Sequence, residues 1–187
     1  MIKEVVYTEK MHGTRKCVID IETTSFHPFQ GRIICVGIKD IQTGELFIFQ
    51  HDNEETMIIE FIKYFNERNF TEVIGFNVSF DIRFIVGKCL HYKIPANGFI
   101  SANQVDLMEI LNNYKRLNST YRWGTLDEWS RFLLGKGKLF KSDTIPRLYA
   151  ERRLAEILAY NRNDVQITFE IWQLINSVID GESHGNN

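Results

Sequence analysis

The sequence predicts an α/β fold in which a mixed five-stranded sheet is flanked by helices. Three runs rich in β-branched and apolar residues come first, at positions 16–21, 32–39 and 46–50. Turn-like residues separate the second run from the third, so the three runs predict an antiparallel meander. Helical and strand patterns then alternate, at 54–68, 72–76, 80–91 and in a short strand that ends near Val105. This order predicts additional parallel strands and helices on the faces of the sheet.

Periodicity and end signals predict the helices. The first helical stretch has apolar residues at the spacing of one helix face: Met57, Ile58, Phe61, Ile62 and Phe65. Thr125 and Glu128 have the pattern of a capping box, and Gly135 predicts the end of the helix that they open. The last helical pattern begins near Arg147 and continues past Trp172, in one or two pieces.

Composition predicts one globular domain with little net charge. The chain has 187 residues, of which 44% are hydrophobic and 25% are charged, and these values exclude disordered and fibrous proteins. A net charge of −2 excludes a protein that coats nucleic acid through a general basic excess. It is compatible with a nuclease, whose acidic site is itself negative. We expect one domain at 1–180 and a flexible tail at 181–187.

The cysteines and the N-terminal sequence indicate the compartment. The cysteines are odd in number and form no CxxC pair: Cys17, Cys35 and Cys89. Neither a disulfide framework nor a zinc site is expected, and a reducing cytoplasm fits. The N-terminal residues lack the uninterrupted apolar core of a signal peptide, and no apolar run is long enough to cross a membrane. The sequence therefore predicts a cytoplasmic protein with no membrane partner.

Asp20 and Glu22 are the first candidate functional residues. Because side chains alternate along a strand, these two acids share one face, while Cys17, Ile19 and Ile21 take the other. Two acids side by side on an apolar strand repel each other, and burial disfavours their charged forms. A bound cation would remove both penalties. Two acids at a solvated strand end would give the same pattern, so the pair alone leaves both interpretations open.

Two further elements contain acids. Asp81 lies in the predicted first turn of a helix, where the helix dipole favours a carboxylate, so a purely stabilising role is an alternative. Tyr160 and Asp164 are four residues apart and therefore share one face of a late helix. A tyrosine hydroxyl can orient a water molecule, and an aspartate can bind a metal ion that activates it.

Together these elements resemble the motifs of the DEDD exonuclease superfamily, in its DEDDy branch, which has a ribonuclease-H-like fold. The residues of these motifs are most similar to those of the proofreading exonuclease domains of family-B DNA polymerases. Asp20-Ile21-Glu22-Thr23 resembles their first motif, Asn77-Val78-Ser79-Phe80-Asp81 their second, and Tyr160-Asn161-Arg162-Asn163-Asp164 their third. The resemblance runs from about Val18 to Val165, and polymerase palm and finger sequences are absent from the chain. It therefore implies a 3′→5′ exonuclease domain that either stands alone or is a fragment of a larger protein.

The resemblance implies a role for each site residue. Asp20 would bridge two divalent cations, Mg²⁺ or Mn²⁺, whose preferred ligands are oxygens. Glu22 and Asp164 would complete the site that holds the attacking water, Asp81 would support the second cation, and Tyr160 would orient the water. Hydrolysis would proceed from the 3′ end of single-stranded nucleic acid.

The resemblance places three substrate-binding residues near the terminal nucleotide, namely Thr23, Asn77 and Phe80. A plain core position is the alternative for Phe80, and Phe26 is a further candidate for the same cleft. Basic residues between two predicted helices form either a solvated loop or a phosphate-binding rim: Lys136, Lys138, Lys141 and Arg147.

The sequence leaves open both the substrate and the class of protein. No motif defines a sugar pocket, so a 3′→5′ exoribonuclease is the alternative to an enzyme that acts on DNA, which we favour. A non-catalytic nucleic-acid-binding protein with the same fold is the alternative from another class. Retention of every acid and of Tyr160 argues against it. Repair, proofreading and RNA turnover are all compatible pathways, and the sequence identifies no protein partner.

Overall fold

A computed structural model describes residues 14–112 and 124–179 of the chain. The predicted tail at 181–187 lies outside these residues. The strands are β1 (Arg15–Thr23), β2 (Ile33–Asp40), β3 (Leu46–Phe49), β4 (Phe70–Gly75) and β5 (Asn103–Asp106). The helices are α1 (Glu54–Glu67), α2 (Val78–Tyr92), α3 (Asn97–Ile100), α4 (Leu107–Asn112), α5 (Leu126–Leu134), α6 (Ile145–Ala150) and α7 (Leu154–Ile179), and a 3₁₀ turn at Ser142–Thr144 precedes α6.

The strands form one sheet in the order β3-β2-β1-β4-β5. β1, β2 and β3 pair antiparallel, whereas β4 pairs parallel with both β1 and β5. The predicted fold class is therefore confirmed, with a three-stranded meander extended by parallel strands. β1 is the central strand, so side chains near its end are covered by neighbouring elements on both faces of the sheet.

Alternation along β1 divides the core between the two faces of the sheet. Cys17, Ile19 and Ile21 belong to the apolar cluster that includes α1 and α2. Val18 points to the opposite face and packs in a second cluster with Val165 of α7. Helix α7 lies across β1 and β2 on this second face. The face that Asp20 and Glu22 were predicted to share is therefore the face that α7 covers.

Several predicted boundaries differ from the structure. Helix α2 begins at Val78 instead of residue 80, and β4 begins at Phe70 instead of residue 72. The late helical pattern forms two helices because the chain is left-handed at Arg152, with φ of 59°, which interrupts the helical hydrogen bonds. The short helices α3 and α4 were not predicted. The capping box at Thr125 and the left-handed Gly135 are both present. Among the described helices, none has the length and apolarity needed to cross a bilayer.

Gly37 of β2 allows α7 to approach the sheet. It pairs with Asp20 across the two strands. A methyl group at Gly37 would overlap the side-chain oxygen of Asn161 and approach Val165 to 2.8 Å. We expect Gly37→Ala to lower the free energy of unfolding by about 1–3 kcal/mol, because the core has no room for the added carbon. Urea denaturation measures this change.

Asn161→Ala provides the test of that explanation. If Asn161 is the group that a Cβ at Gly37 displaces, the combined Gly37→Ala and Asn161→Ala variant should be more stable than the sum of the single effects implies. Strict additivity of the two free-energy changes would contradict the steric explanation.

Candidate metal-binding active site

Three carboxylates converge where α7 crosses the end of β1. One oxygen each from Asp20, Glu22 and Asp164 lies within 4.8 Å of the other two. Asp20 and Glu22 share a face of β1 because strand side chains alternate, and Asp164 lies one helical turn after Tyr160 on α7. Glu22 and Asp164 are buried. Residues separated by more than 140 positions in the chain thus form one acidic cluster, in the grouping that the sequence pattern predicted.

Asp81 lies at the edge of this cluster. It is in the first turn of α2 and is buried, and its Oδ1 accepts a hydrogen bond of 2.9 Å from the backbone N–H of Ile21. That bond joins α2 to the strand segment between Asp20 and Glu22. Asp81 therefore supports the backbone that carries the other two acids, and it lines the same cavity.

Burial makes the charged forms of these acids unfavourable. Desolvation, reinforced by the Asp164 charge, raises the pKa of Asp20 to about 7. Desolvation and the charge of Asp20 raise the pKa of Glu22 well above its usual range, and the same two causes act on the pKa of Asp81. Desolvation also raises the pKa of Asp164, although the Lys138 ammonium opposes that shift. A protein that buries several acids together without compensating cations stores unfavourable free energy at this site.

The donor set fits divalent cations of the Mg²⁺ or Mn²⁺ class. Carboxylate oxygens are the preferred ligands of these hard ions. Asp164 Oδ1 is buried and has no hydrogen-bond partner among the described residues, so it retains unused capacity as a ligand. Asp20, Glu22 and Asp164 could hold an ion directly, and Asp81 could hold a second ion or its water molecules.

Lys138, one of the basic residues that the sequence offered as a solvated loop or a phosphate-binding rim, belongs to the site through contacts that the sequence did not predict. Its Nζ lies 2.5 Å from Asp164 Oδ2 and donates a hydrogen bond of 2.8 Å to the hydroxyl of Tyr160. Burial alone would lower the pKa of Lys138, but the charge of Asp164 and the neighbouring Tyr160 and Asp20 outweigh it and raise that pKa. Lys138 therefore stays an ammonium. The solvated-loop interpretation of this basic cluster was wrong for Lys138, although Lys136 is exposed and pairs with Glu170.

The segment that carries Lys138 is fixed by specific contacts. Asp127 accepts a hydrogen bond of 2.7 Å from the backbone N–H of Lys138 and pairs with Arg131. A Cβ at Gly137 would overlap the side chains of Asp127 and Arg131 as they stand, so glycine leaves room for this contact. The Phe140 ring stacks on Tyr160, with centroids 4.5 Å apart. Asp127 therefore does more than act as an early-helix acid, because it anchors the segment that reaches the cluster.

Asn161 is a second residue that the sequence did not single out. Its side-chain amide donates to the backbone oxygen of Asp20 at 3.0 Å and to Asp20 Oδ2 at 2.8 Å. It is fully buried, and it fixes the orientation of the Asp20 carboxylate. Asn161 lies inside the third motif, but only the crossing of α7 over β1 reveals its partner.

A cavity of about 330 Å³ opens onto the cluster. The three predicted substrate-binding residues, Thr23, Asn77 and Phe80, all line it. The ring of Phe80 also packs against the core, so the core interpretation is confirmed, and its contact with a terminal nucleotide stays a prediction. Asp106 binds the backbone N–H groups of Asn77 and Met108, at 2.8 and 3.0 Å, and has a structural role in the loop before α2.

The raised pKa values predict that the free energy of unfolding of the metal-free protein falls as the pH rises. The unfolded acids titrate near pH 4, whereas Asp20 in the folded chain titrates at about 7. Between these values the folded state binds more protons than the unfolded state, so stability falls as the pH rises. Urea denaturation in the presence of a chelator should therefore give a larger free energy of unfolding at pH 6 than at pH 8. Equal stability at both values would contradict the burial of uncompensated acids.

Comparisons with known proteins agree with this fold. A model of the RNase_H superfamily matches residues 17–176. An uncharacterized protein of Methanocaldococcus jannaschii is 28% identical over 176 residues, which are 86% of this chain and 94% of that protein. The family B DNA polymerase of Pyrobaculum calidifontis superimposes with a TM-score of 0.69 at 15% identity. That match covers 87% of this chain and 24% of the polymerase, so the chain spans about a quarter of its length.

The family match extends from β1 into the last turns of α7 and so includes every strand and each carboxylate of the acidic cluster. Proteins of this kind are generally hydrolytic nucleases that use divalent metals, and both properties suit the buried acidic cluster. The chain belongs to the RNase_H superfamily.

Proposed function

We propose that the protein is a metal-dependent 3′→5′ exonuclease that removes nucleotides from single-stranded DNA. The observation that carries the proposal is the convergence of Asp20, Glu22 and Asp164 beside Tyr160 and Lys138. The cavity in front of this cluster is lined by all four acids and by Tyr160 and Lys138. The polymerase-like fold and the superfamily give independent support to nuclease activity.

The acids would hold two divalent cations, Mg²⁺ or Mn²⁺, which supply an acidified water and neutralise charge on the phosphate. Asn161 keeps the Asp20 carboxylate in the orientation that binding requires. Asp81 accepts a hydrogen bond from the N–H of Ile21 and so holds the β1 backbone between Asp20 and Glu22 in place. These contacts fix the ligands before substrate arrives, which lowers the reorganisation needed during the reaction.

Tyr160 would orient the attacking water. Burial and the charge of Asp164 raise the pKa of Tyr160, so its hydroxyl stays protonated at neutral pH and cannot serve as the base. Lys138 fixes the hydroxyl oxygen by donating to it at 2.8 Å. The water oxygen forms a bond to phosphorus, its proton passes to a carboxylate, and the bond from phosphorus to the 3′ oxygen of the preceding nucleotide breaks. A nucleoside 5′-monophosphate leaves, and the proton held by the carboxylate passes to the 3′ oxygen, so the shortened strand ends in a 3′ hydroxyl.

Thr23, Asn77 and Phe80 would hold the terminal nucleotide. They lie on the wall of the cavity between β1 and the start of α2, next to the acids. Asn77 is exposed beside the cavity, and the bond from its backbone N–H to Asp106 fixes its position there. The Phe80 ring supplies an apolar surface for the base or the sugar.

The test is incubation of 5′-labelled single-stranded DNA and RNA of the same sequence with Mg²⁺ or Mn²⁺. We expect a ladder of products shortened from the 3′ end, with DNA degraded faster than RNA. Faster degradation of RNA would replace the DNA assignment by an exoribonuclease. Binding of both strands without degradation of either would favour a non-catalytic binding protein and overturn the proposal.

A further inference from the structure

A second cavity lies at the end of helix α6. Its volume is about 480 Å³, within the range of about 300–1,000 Å³ that is typical of small-molecule sites. Tyr149 and Ala150, the last residues of α6, form part of its wall. Ile145 and Pro146, the first residues of the same helix, line the catalytic cavity instead. Among the described residues the two cavities share no lining residue, so the second cavity is a separate candidate binding site.

Arg32 supplies one positive charge to the second cavity. Its Nη2 donates a hydrogen bond of 2.9 Å to the backbone oxygen of Asp52, and its Cζ lies 5.7 Å from the centroid of the Tyr149 ring. These two contacts hold the guanidinium in the cavity wall. Its Nε is buried and has no hydrogen-bond partner among the described residues. A charged side chain that contacts only neutral groups and keeps a buried donor unpaired is well suited to an anionic ligand.

Arg152 supplies a second positive charge from the turn between α6 and α7. Its φ of 59° is a left-handed conformation, which glycine adopts without the steric cost that a side chain adds. Within residues 14–112 and 124–179, neither Arg152 nor Arg32 forms an ion pair with an acid. The next residue, Arg153, pairs with both Glu151 and Glu156. The charges that face the second cavity are therefore the uncompensated ones.

His51 adds a neutral donor to the same wall. Its Nδ1 accepts a hydrogen bond of 2.9 Å from the backbone N–H of Asn53, so the neutral ring carries its proton on Nε2. That second nitrogen is left to donate to a ligand. Asp52 is the one acid among the described lining residues, and it is exposed. With Arg32 and Arg152 against a single carboxylate, the second cavity is positively charged.

The lining matches a molecule that has a phosphate at one end and an apolar body. Guanidinium groups fit phosphate in both charge and geometry. A terminal phosphate monoester carries a charge of about −1.5 to −2 at neutral pH, whereas a phosphate inside a strand carries about −1. Two uncompensated arginines therefore match a terminal monoester better than an internal phosphate. Ile34 and Leu154 provide an apolar wall for the sugar or the base.

We propose that the second cavity binds a nucleotide through a terminal phosphate monoester, which Arg32 and Arg152 hold. The monoester belongs either to a free nucleoside monophosphate or to the 5′ end of a strand, since the recognised group is the same in both. The proposal is independent of the proposed function, because binding at the second cavity uses neither the acidic cluster nor a metal ion.

The first test is titration calorimetry with dAMP in a chelator, where no metal ion can bring the phosphate to the acidic cluster. We expect dAMP to bind at least about tenfold more tightly than deoxyadenosine or inorganic phosphate. Arg32→Gln should raise the Kd of dAMP by about 10- to 100-fold, the usual effect of losing a charged hydrogen bond. Arg152→Gln should raise it by about 3- to 10-fold, because its exposed charge is partly screened. Asp52→Asn should lower it by about threefold, because the opposing charge is removed.

Lys93→Gln is the matched control. Lys93 is exposed and left-handed, with φ of 58°, as Arg152 is, and it lines neither cavity. Its replacement should leave the Kd of dAMP within about twofold of the wild-type value. Arg152→Gln and Asp52→Asn change exposed residues, so the test stays valid if Arg32→Gln does not fold. Kd values within twofold of wild type in both of these variants would overturn the proposal, as would equal affinity for dAMP and deoxyadenosine.

Glycine substitutions at the two left-handed positions give a second readout. Arg152→Gly and Lys93→Gly should both raise the melting temperature, because glycine relieves the strained backbone. Only Arg152→Gly should weaken the binding of dAMP. A purely structural role for Arg152 predicts the rise in melting temperature without any change in Kd, and that result would contradict its place in a binding site.

Strands decide between the two sources of the monoester. Two octanucleotides of one sequence, with and without a 5′ phosphate, are titrated in the same chelator. Tighter binding of the phosphorylated strand that is lost in Arg152→Gln would assign the second cavity to 5′ ends. Equal binding of both strands, together with Arg152-dependent binding of dAMP, would assign it to free nucleotides. Inorganic phosphate that binds as tightly as dAMP would overturn the nucleotide assignment, because the apolar wall would then contribute nothing.

Discussion

Replacement of Asp20 by asparagine and Glu22 by glutamine in one chain should abolish metal-dependent hydrolysis. Both amides preserve the size of the side chains but remove the negative charge of two of the three carboxylates that converge within 4.8 Å. Bound metals supply several kcal/mol of charge stabilisation in such reactions, and each 1.36 kcal/mol is tenfold in rate. We therefore expect kcat to fall by at least about 10³-fold, measured as release of the 3′-terminal nucleotide.

The same double variant should be more stable than the wild type when no metal is present. Desolvation and mutual repulsion raise the pKa values of Asp20 and Glu22, so neutral amides relieve both costs. Saturating Mn²⁺ should raise the melting temperature of the wild type, because the ion binds only the folded state. It should not raise that of the variant. The two melting curves thus report metal binding at the acidic cluster without any substrate.

Asp143→Asn is the control for these measurements. Asp143 lines the same cavity but is exposed and lies outside the acidic cluster. Its replacement should leave both the Mn²⁺ effect and kcat within twofold of wild type. If the Asp20 and Glu22 variant were stabilised by Mn²⁺ as strongly as the wild type, the ion would bind elsewhere and the assignment of this cluster would be wrong.

Local periodicity in the sequence was sufficient for the strands and for two pairs of site residues, whereas the grouping of all the acids was implied only by the resemblance of the three motifs. Asp20 and Glu22 share a face through strand alternation, and Tyr160 and Asp164 through helical spacing, so their placement needs no tertiary information. Asn161 was missed because its contact with Asp20 depends on how closely α7 crosses β1. That distance is set by Gly37, a residue far from any motif.

The contacts of Lys138 with Asp164 and Tyr160 were missed for a different reason. Lys138 lies in the irregular segment between α5 and the 3₁₀ turn, where no periodicity relates position in the sequence to the direction of a side chain. Charge alone did not distinguish it from Lys136 two residues earlier, which pairs with Glu170 at the surface. What distinguishes Lys138 is Asp127, which binds its backbone N–H, and Gly137, which makes room for that contact. Both features depend on the tertiary structure and cannot be read from the local sequence.

Lys138→Met should lower kcat by about 10²–10³-fold, the usual cost of removing one preorganised donor from an active site. Methionine keeps much of the length of the side chain but loses the ammonium that contacts Asp164 and Tyr160. Tyr160 then lacks the donor that fixes its hydroxyl, and positive charge near the phosphate is lost. KM should change less than kcat, because no contact assigns Lys138 to strand binding. Lys138→Arg should recover part of kcat, since a guanidinium keeps the charge but not the geometry.

Lys136→Met is the matched control, because the same substitution two residues away removes only an exposed ion pair. Its effect on kcat should stay within about twofold, since surface pairs contribute little. Stability provides the second readout for Lys138→Met. Loss of the ammonium leaves the Asp164 charge buried without a partner, so the metal-free variant should unfold more easily at pH 8 than the wild type.

Measurements in saturating Mn²⁺ distinguish two roles of the Lys138 ammonium, namely compensation of the Asp164 charge and the hydrogen bond to Tyr160. A bound cation can replace the charge of Lys138 beside Asp164, so saturating Mn²⁺ should restore the stability of Lys138→Met. It cannot replace the hydrogen bond that Lys138 donates to Tyr160, so kcat should stay low. Wild-type stability together with wild-type kcat for Lys138→Met in saturating Mn²⁺ would mean that the ammonium only compensates Asp164. Recovery of stability alone would mean that Lys138 acts on the reaction through Tyr160.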